Sequence, residues 1–199
     1  MMTRRSFFNK AAGTWDEQFY TPKLTRFLEK FVLTFSLKPG QNILDVGTGT
    51  GILIPFLLQA VGPGGSITAI DYAEKMIQVC RSKYSHLKNV SIELQNVEKL
   101  DYPSDTFDAV TCFGLFPHLE NKEQALYYIH LVLKPGGKLI IAHALSSTEI
   151  KVHHSISAVI THDALPKKQE MKQGLKHAGF INISIEDKLG HYLCTSTKL

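Results

Sequence analysis

The stretch Asn42-Ile43-Leu44-Asp45-Val46-Gly47-Thr48-Gly49-Thr50-Gly51-Ile52-Leu53 constrains this chain more than any other. An apolar run (Ile43, Leu44, Val46) carrying one acid gives way to alternating glycines, then becomes apolar again at Ile52, Leu53 and Ile54. That order describes a buried strand, a turn with no side chains to obstruct a ligand, and the start of a helix. The glycines let backbone approach a ligand closely and adopt positive φ where needed. Free N–H groups at the helix start favour an anionic group such as a carboxylate.

Asp45 is costly at the tip of a buried strand unless partnered, so the sequence places it facing a cationic or hydrogen-bond-donating ligand. A second apolar strand, Ser66-Ile67-Thr68-Ala69-Ile70-Asp71, also ends in an acid. It falls about twenty residues beyond the glycines, where a ribose-binding acid belongs in a βαβ nucleotide site. A dinucleotide fingerprint needs a third glycine where Ile52 stands, and a P-loop needs a lysine that does not follow Gly51.

Asp45-Val-Gly47-Thr-Gly49-Thr-Gly51 resembles motif I of the class I S-adenosylmethionine-dependent methyltransferases. Asp71-Tyr72-Ala73-Glu74-Lys75-Met76 resembles the segment after their second strand, and Leu133-Lys134-Pro135-Gly136-Gly137-Lys138-Leu139 the turn into their fifth. The likeness runs from about Trp15 to Phe180 and is greatest to the branch containing quinone-biosynthesis methyltransferases. It implies S-adenosyl-L-methionine as cofactor and S-adenosyl-L-homocysteine as product. By the same resemblance Asp45, Gly47, Thr48, Gly49, Thr50 and Gly51 serve the methionine part, and Asp71 with Tyr72 the ribose. Met76 and the Asn96-Val97-Glu98 segment serve the adenine. The family commonly has aspartate where Asn96 stands; an asparagine carbonyl can accept the same hydrogen bond.

With 199 residues, 44% hydrophobic and 20% charged, the chain has room for one domain with a substantial core. The net charge of +4 is scattered, which reads as solvated surface, and no nucleic-acid partner is expected. Cys80, Cys112 and Cys194 are far apart, suggesting neither a disulfide framework nor a thiolate metal site. The basic start lacks the apolar stretch of a signal peptide, and no run is long enough to span a bilayer. The reading is a cytoplasmic protein, monomer or homodimer.

Residues 1–35 read as a helical arm. It contains the only tryptophan, Trp15, and a helix that opens at Thr21-Pro22 and carries the stripe Leu24, Phe27, Leu28, Phe31, Val32 and Phe35. Strands are expected at 43–46, 66–70, 90–94, 107–112 and 138–142, and helices at 51–61, 73–86 and 121–133. The last opens with Asn121 and Gln124 in capping-box spacing. Pro166 opens a further helix closed by Gly179, and 180–186 and 191–197 form a hairpin. Together these give an α/β fold: a three-layer Rossmann-like sandwich whose seven-stranded, mostly parallel sheet has an antiparallel terminal strand. Residues 1–199 form one domain on this reading, with 143–166 an acceptor-side insertion.

Methyl transfer is an in-line displacement from a sulfonium, so positioning and desolvation dominate. Trp15, Tyr20, Phe113 or Phe116 can offer aromatic faces to the cation, and some of these are simply core. The exit of the fourth strand, Thr111 to His118, lacks the Asn/Asp-Pro-Pro-Tyr of amino-group methylases, which argues against base-amine methylation. His143, His153, His154, His162 and Asp163 cluster after the fifth strand. They are open to surface, acceptor-binding or metal readings. We expect His118, His143, His154 and Asp163 to face a small-molecule acceptor, because metal ligation lacks a supporting cysteine or helical His-x-x-x-His pair. The alternative function is a non-catalytic cofactor-binding or metal-sensing module. A nicotinamide oxidoreductase is disfavoured by Ile52 and the terminal hairpin.

Overall fold

The computed structural model describes residues 2–155 and 159–199; residues 156–158, within the 143–166 segment, lie outside the described residues. Among the described residues the strands are β1 (Asn42–Val46), β2 (Ser66–Asp71), β3 (Val90–Leu94), β4 (Phe107–Phe113), β5 (Leu133–His143), β6 (Phe180–Lys188) and β7 (His191–Lys198). They form one sheet in the order β3-β2-β1-β4-β5-β7-β6. The first five run parallel, and β7 is antiparallel to both its neighbours. The antiparallel strand is thus last in the chain yet lies inside the sheet, with β6 at the edge.

Alternation along each strand sends side chains to two different cores. Leu44, Val46, Val110, Cys112, Leu139 and Ile141 join the helices α6 (Lys122–Val132) and α8 (Lys168–His177) on one face. Ile43, Ile67, Ala69, Ala109, Ile140 and Ala142 join α3 (Pro22–Phe31), α4 (Ile54–Val61) and α5 (Glu74–Tyr84) on the other. Both faces being covered explains why these strands read as continuous apolar runs. On α3 the expected stripe is buried at Leu28 and Phe31 and continues through a 3₁₀ turn at Val32 and Phe35. Thr21 caps that helix by accepting from the Leu24 amide at 3.2 Å, with Pro22 at its first turn.

Local chemistry shifts several boundaries. Gly51 sits at φ +91° and keeps the backbone out of the α region, so α4 begins at Ile54 rather than at 51. The turn 134–137 is absorbed into β5 as an irregularity: Leu133 pairs with Phe107, and pairing resumes at Lys138 with Ala109. Asn121 caps α6 by accepting from the Gln124 amide at 2.9 Å, but the reciprocal arm of the box comes from elsewhere. The Asn121 amide donates to Glu98 Oε1 at 3.1 Å. The 143–166 segment contains a helix the sequence analysis did not place, α7 (Ser147–His154), started by a complete capping box between Ser146 and Glu149.

The arm is α1 (Arg4–Ala11) and α2 (Trp15–Phe19), joined by a 3₁₀ turn. It is pinned at three places. Arg4 forks onto Asp163, Arg5 and Asn9 reach Glu74, and Asp16 holds Thr50 and Lys83. Those ties lay it across the carboxyl ends of β1, β2 and β4, where open α/β sheets bind ligands.

Candidate active site

Two adjoining cavities open beneath the arm, of about 310 and 240 Å³, and share Gly47, Asp71, Tyr72, Leu115 and His118. Ligand pockets commonly run from roughly 300 to 1,000 Å³, so the pair together suits a nucleoside-sized group and a small acceptor. The first cavity is edged by Gln95, Asn96, Val97 and Glu98 from the exit of β3. The second is apolar and aromatic, with Phe8, Trp15, Phe19, Tyr20, Met76, Phe113 and Leu145 in its wall.

Asp71 sits where both meet. Its Oδ2 accepts from the Gly49 amide at 3.0 Å and its Oδ1 from the Ala73 amide at 2.8 Å. Burial pushes this carboxyl up to about 6 against the amides of Ala73, Gly49 and Tyr72, and the carboxylate keeps acceptor capacity for a ligand hydroxyl. Gly47, at φ +67°, passes under Leu115 so closely that a Cβ would lie 2.8 Å from that side chain. Thr48 is buried beside the Asp45 carboxylate. Acceptor capacity left on Asp71 and a loop with no side chain at Gly47 fit the ribose and amino-acid portions of S-adenosylmethionine.

Three residues of the motif stand elsewhere. Asp45 lines neither cavity: Thr111 Oγ1 donates to its Oδ1 at 2.6 Å, its Oδ2 is unpartnered, and burial raises it to about 6. Alternation puts the residue on the sheet face of Ile43 and Ala109, beside its register partner Thr111 of β4. Thr50 also lines neither, since its hydroxyl bonds Asp16 and Tyr20, the latter at 2.8 Å. Gly51 is pressed against Tyr84 and Cys80, where a Cβ would fall 2.6 Å from the Tyr84 ring. Thr50 and Gly51 fasten the arm and α5 to the loop. At the other end, Asn96 Oδ1 accepts from the Glu98 amide, and Glu98 caps the approach to α6 through the Glu120 and Asn121 amides.

Of the four acceptor-side residues, His118 and His143 line the second cavity. His118 Nδ1 lies 2.7 Å from Asp163 Oδ2, and beside a carboxylate that nitrogen carries the proton and donates it. Nε2 is therefore left as a base. Burial alone would raise Asp163, but the hydrogen bonds from His118 and Arg4 hold it down at about 2. His154 and Asp163 are absent from both cavity walls. Asp163 stands behind His118, and His154 packs on the His118 ring at 4.8 Å while its Nδ1 donates to the Asp163 carbonyl at 2.6 Å. These two support the His118 ring from outside the cavity walls. His143 is buried, and burial lowers its imidazole to about 3.

Sequence reasoning missed Arg4, Phe8, Phe19, Leu115 and Leu145. The aromatic set 8, 15, 19 at helical spacing is a legible signal for an inward face of the arm, whereas Arg4 and Asp163 are 159 positions apart.

The methyltransferase domain family matches residues 37–193. The chain belongs to this family, the class I S-adenosylmethionine-dependent methyltransferases. Its sequence is 34% identical over 144 residues to the ubiquinone/menaquinone biosynthesis C-methyltransferase UbiE of Hydrogenovibrio crunogenus, covering 69% of this chain and 56% of that protein. It is 32% identical over 148 residues to the demethylmenaquinone methyltransferase of Symbiobacterium thermophilum, covering 70% and 58%. The match therefore spans little more than half the length of these relatives. A SAM dependent methyltransferase from Aquifex aeolicus superposes with TM-score 0.70 at 26% identity, covering 86% of this chain and 89% of that one. Nothing favours the metal-sensing alternative: among the described residues no group of three His, Cys, Asp or Glu is placed to hold a metal ion.

Proposed function

We propose that this methyltransferase moves the methyl group of S-adenosylmethionine to carbon on a small, apolar acceptor of the quinone type. One observation carries the reading: a cavity edged by Asp71, Gln95, Asn96 and Glu98 runs into an aromatic one, with His118 in the wall of both. The names of the relatives at 34% and 32% identity supply the acceptor class and the methylated atom.

When bound, the cofactor supplies an electrophilic methyl on a positively charged sulfur, whose departure as a neutral thioether needs no acid. Asp71 holds ribose hydroxyls. Trp15, Phe19 and Tyr20 from the arm exclude water and offer π faces to the cation. With both bound, the cofactor would supply its methyl to the acceptor's carbon, and the electron pair of the broken carbon–sulfur bond would stay on sulfur. His118 Nε2 takes the proton the acceptor loses, and Asp163 stabilises the resulting imidazolium.

The described helices include none long and apolar enough to cross a membrane. We infer a single cytoplasmic domain, working as a monomer or homodimer. The test is to incubate the purified chain with methyl-labelled cofactor and a short-chain naphthoquinol lacking the ring methyl. A labelled, carbon-methylated ring is expected. Label found on oxygen, or no S-adenosylhomocysteine with any quinol, overturns the reading.

A further inference from the structure

His143 and His118 share one cavity wall, and their surroundings are opposite. His118 is tied to Asp163 on one side of its ring and is touched by Phe8 and His154 on others. His143 is 7% exposed, and its Nε2 is buried with no hydrogen-bond partner among the described residues. Burying an imidazole nitrogen unpaired costs free energy that folding does not recover, so the group is retained for a partner outside the fold. The backbone explains how it arrives there. His143 is the last residue of β5, on the face of Leu139 and Ile141, and its register partner is Tyr192 of β7. Two residues inward that face is sealed core; at the strand's end it opens beneath Leu145, Phe113 and the arm.

We propose that His143 is the anchor for an oxygen of the methyl acceptor, so that the enzyme selects apolar ring compounds carrying a hydroxyl or carbonyl. This rests on the methyl-transfer reading and adds a second, distinct role to its histidines. A base must gain a proton during turnover, and His118 has Asp163 to stabilise it once charged. His143 has no carboxylate bonded to it among the described residues, and burial first, with the imidazoles of His118 and His154 close by, opposes its protonation. It remains neutral, with one ring nitrogen donating and the other accepting. That pair matches a hydroxyl or an enol as well as a carbonyl. The rest of the wall offers such a ligand flat apolar surface at Phe8, Trp15, Phe19 and Leu145. A site built to hydrogen-bond one oxygen rejects an analogue that lacks it more sharply than an apolar wall rejects an added group.

The test uses the full chain saturated with S-adenosylhomocysteine, titrated calorimetrically with 1-naphthol and with naphthalene, in wild type and in His143→Leu and His143→Gln. Wild type should bind the naphthol roughly tenfold tighter, the worth of one buried hydrogen bond and its desolvation. His143→Leu should erase the preference while leaving S-adenosylhomocysteine affinity within twofold, and His143→Gln, which restores a donor and an acceptor, should recover part of it. The melting temperature of the unliganded Leu variant should equal or exceed wild type, because an unpaired buried polar group has been removed. Equal binding of both probes by wild type, or a preference that survives in His143→Leu, overturns the proposal. A Leu variant that melts several degrees lower also overturns it, since the imidazole then serves the fold. Binding is read without turnover. A protein that discriminates the probes yet methylates no quinol refutes the proposed function and leaves this inference standing.

Discussion

The two ends of the cavity are made by different strategies. The proposed cofactor end comes from one continuous run: β1, the glycine loop and β2 place Gly47, Thr48, Gly49 and Asp71 within about twenty-five residues. Its polar contacts are backbone amides on a carboxylate, fixed once the strands pair. The proposed acceptor end is assembled from Arg4, His118, His143, His154 and Asp163, contributed by the arm, the exits of β4 and β5, and the insertion. Its contacts are side chain to side chain and exist only after the chain has closed on itself. A rigid end suits a ligand common to a whole family; an end built from long-range contacts can be re-specified without disturbing the first.

The largest effect should come from the base. His118→Gln keeps a side chain that can hydrogen-bond Asp163 but cannot take a proton at neutral pH. Turnover should fall about 10²- to 10⁴-fold, the usual worth of a positioned base. Cofactor affinity, measured calorimetrically, should stay within a few-fold although His118 edges both cavities. Collapse of both quantities together would erase the division between the two ends.

Asp71→Ala attacks the other end. Two backbone amides, of Gly49 and Ala73, lose their acceptor, and ribose hydroxyls lose theirs. Cofactor binding should weaken by roughly 1–3 kcal/mol, about ten- to a hundredfold. The rate at saturating cofactor should change far less. Undiminished affinity would show that Asp71 serves only the loop.

This division also explains what the sequence disclosed. The strand-glycine-helix run, the acid at Asp71 and the Pro-Gly turns are local patterns, and they yielded the sheet and the cofactor end. Asp45 misled because its position in the motif says nothing of which way the strand's alternation turns it; Thr111 from β4 was waiting there. His154 and Asp163 were legible as a cluster but not as support, because the ring they support, His118, lies 45 residues before Asp163. Arg4 gave no signal at all, being a basic residue among others in an arm whose docking depends on the finished surface.

A smaller effect lies in pH. Burial raises Asp71 to about 6 in the folded chain from an ordinary value near 3.8. The carboxylate form is the one that accepts two ribose hydroxyls, so bound cofactor lowers that value again. Affinity should be flat above pH 6 and should fall by at most about tenfold per unit below it, with proton release on binding near pH 6. The sign for folding is opposite to that of a salt-bridged acid: the raised value favours the protonated folded form, so this group's penalty grows as pH rises from 3.8 to 6. Affinity unchanged between pH 7 and 5 would mean that the ribose is held by something other than this carboxylate.

The smallest effect separates two adjacent arginines of the arm. Arg4 forks onto Asp163, whose side chain is 1% exposed, through Nη2 at 2.5 Å and Nε at 3.0 Å. Arg5 pairs with Glu74 in the open, with side chains 49% and 43% exposed. Exposed pairs trade solvent for little gain and are screened by salt, whereas a buried carboxylate that loses its cation is left undercompensated. Arg4→Ala should therefore lower the melting temperature measurably and reduce turnover several-fold, because Asp163 is freed to shift away from His118. Arg5→Ala should leave the melting temperature unresolved from wild type, since Asn9 still reaches Glu74 at 2.9 Å and keeps α1 on α5. Raising salt to 1 M should mimic the Arg5 variant and not the Arg4 variant. Equal losses in the two variants would mean that the arm contributes only as a cover, and that its link to the base through Asp163 has no part in the acceptor end.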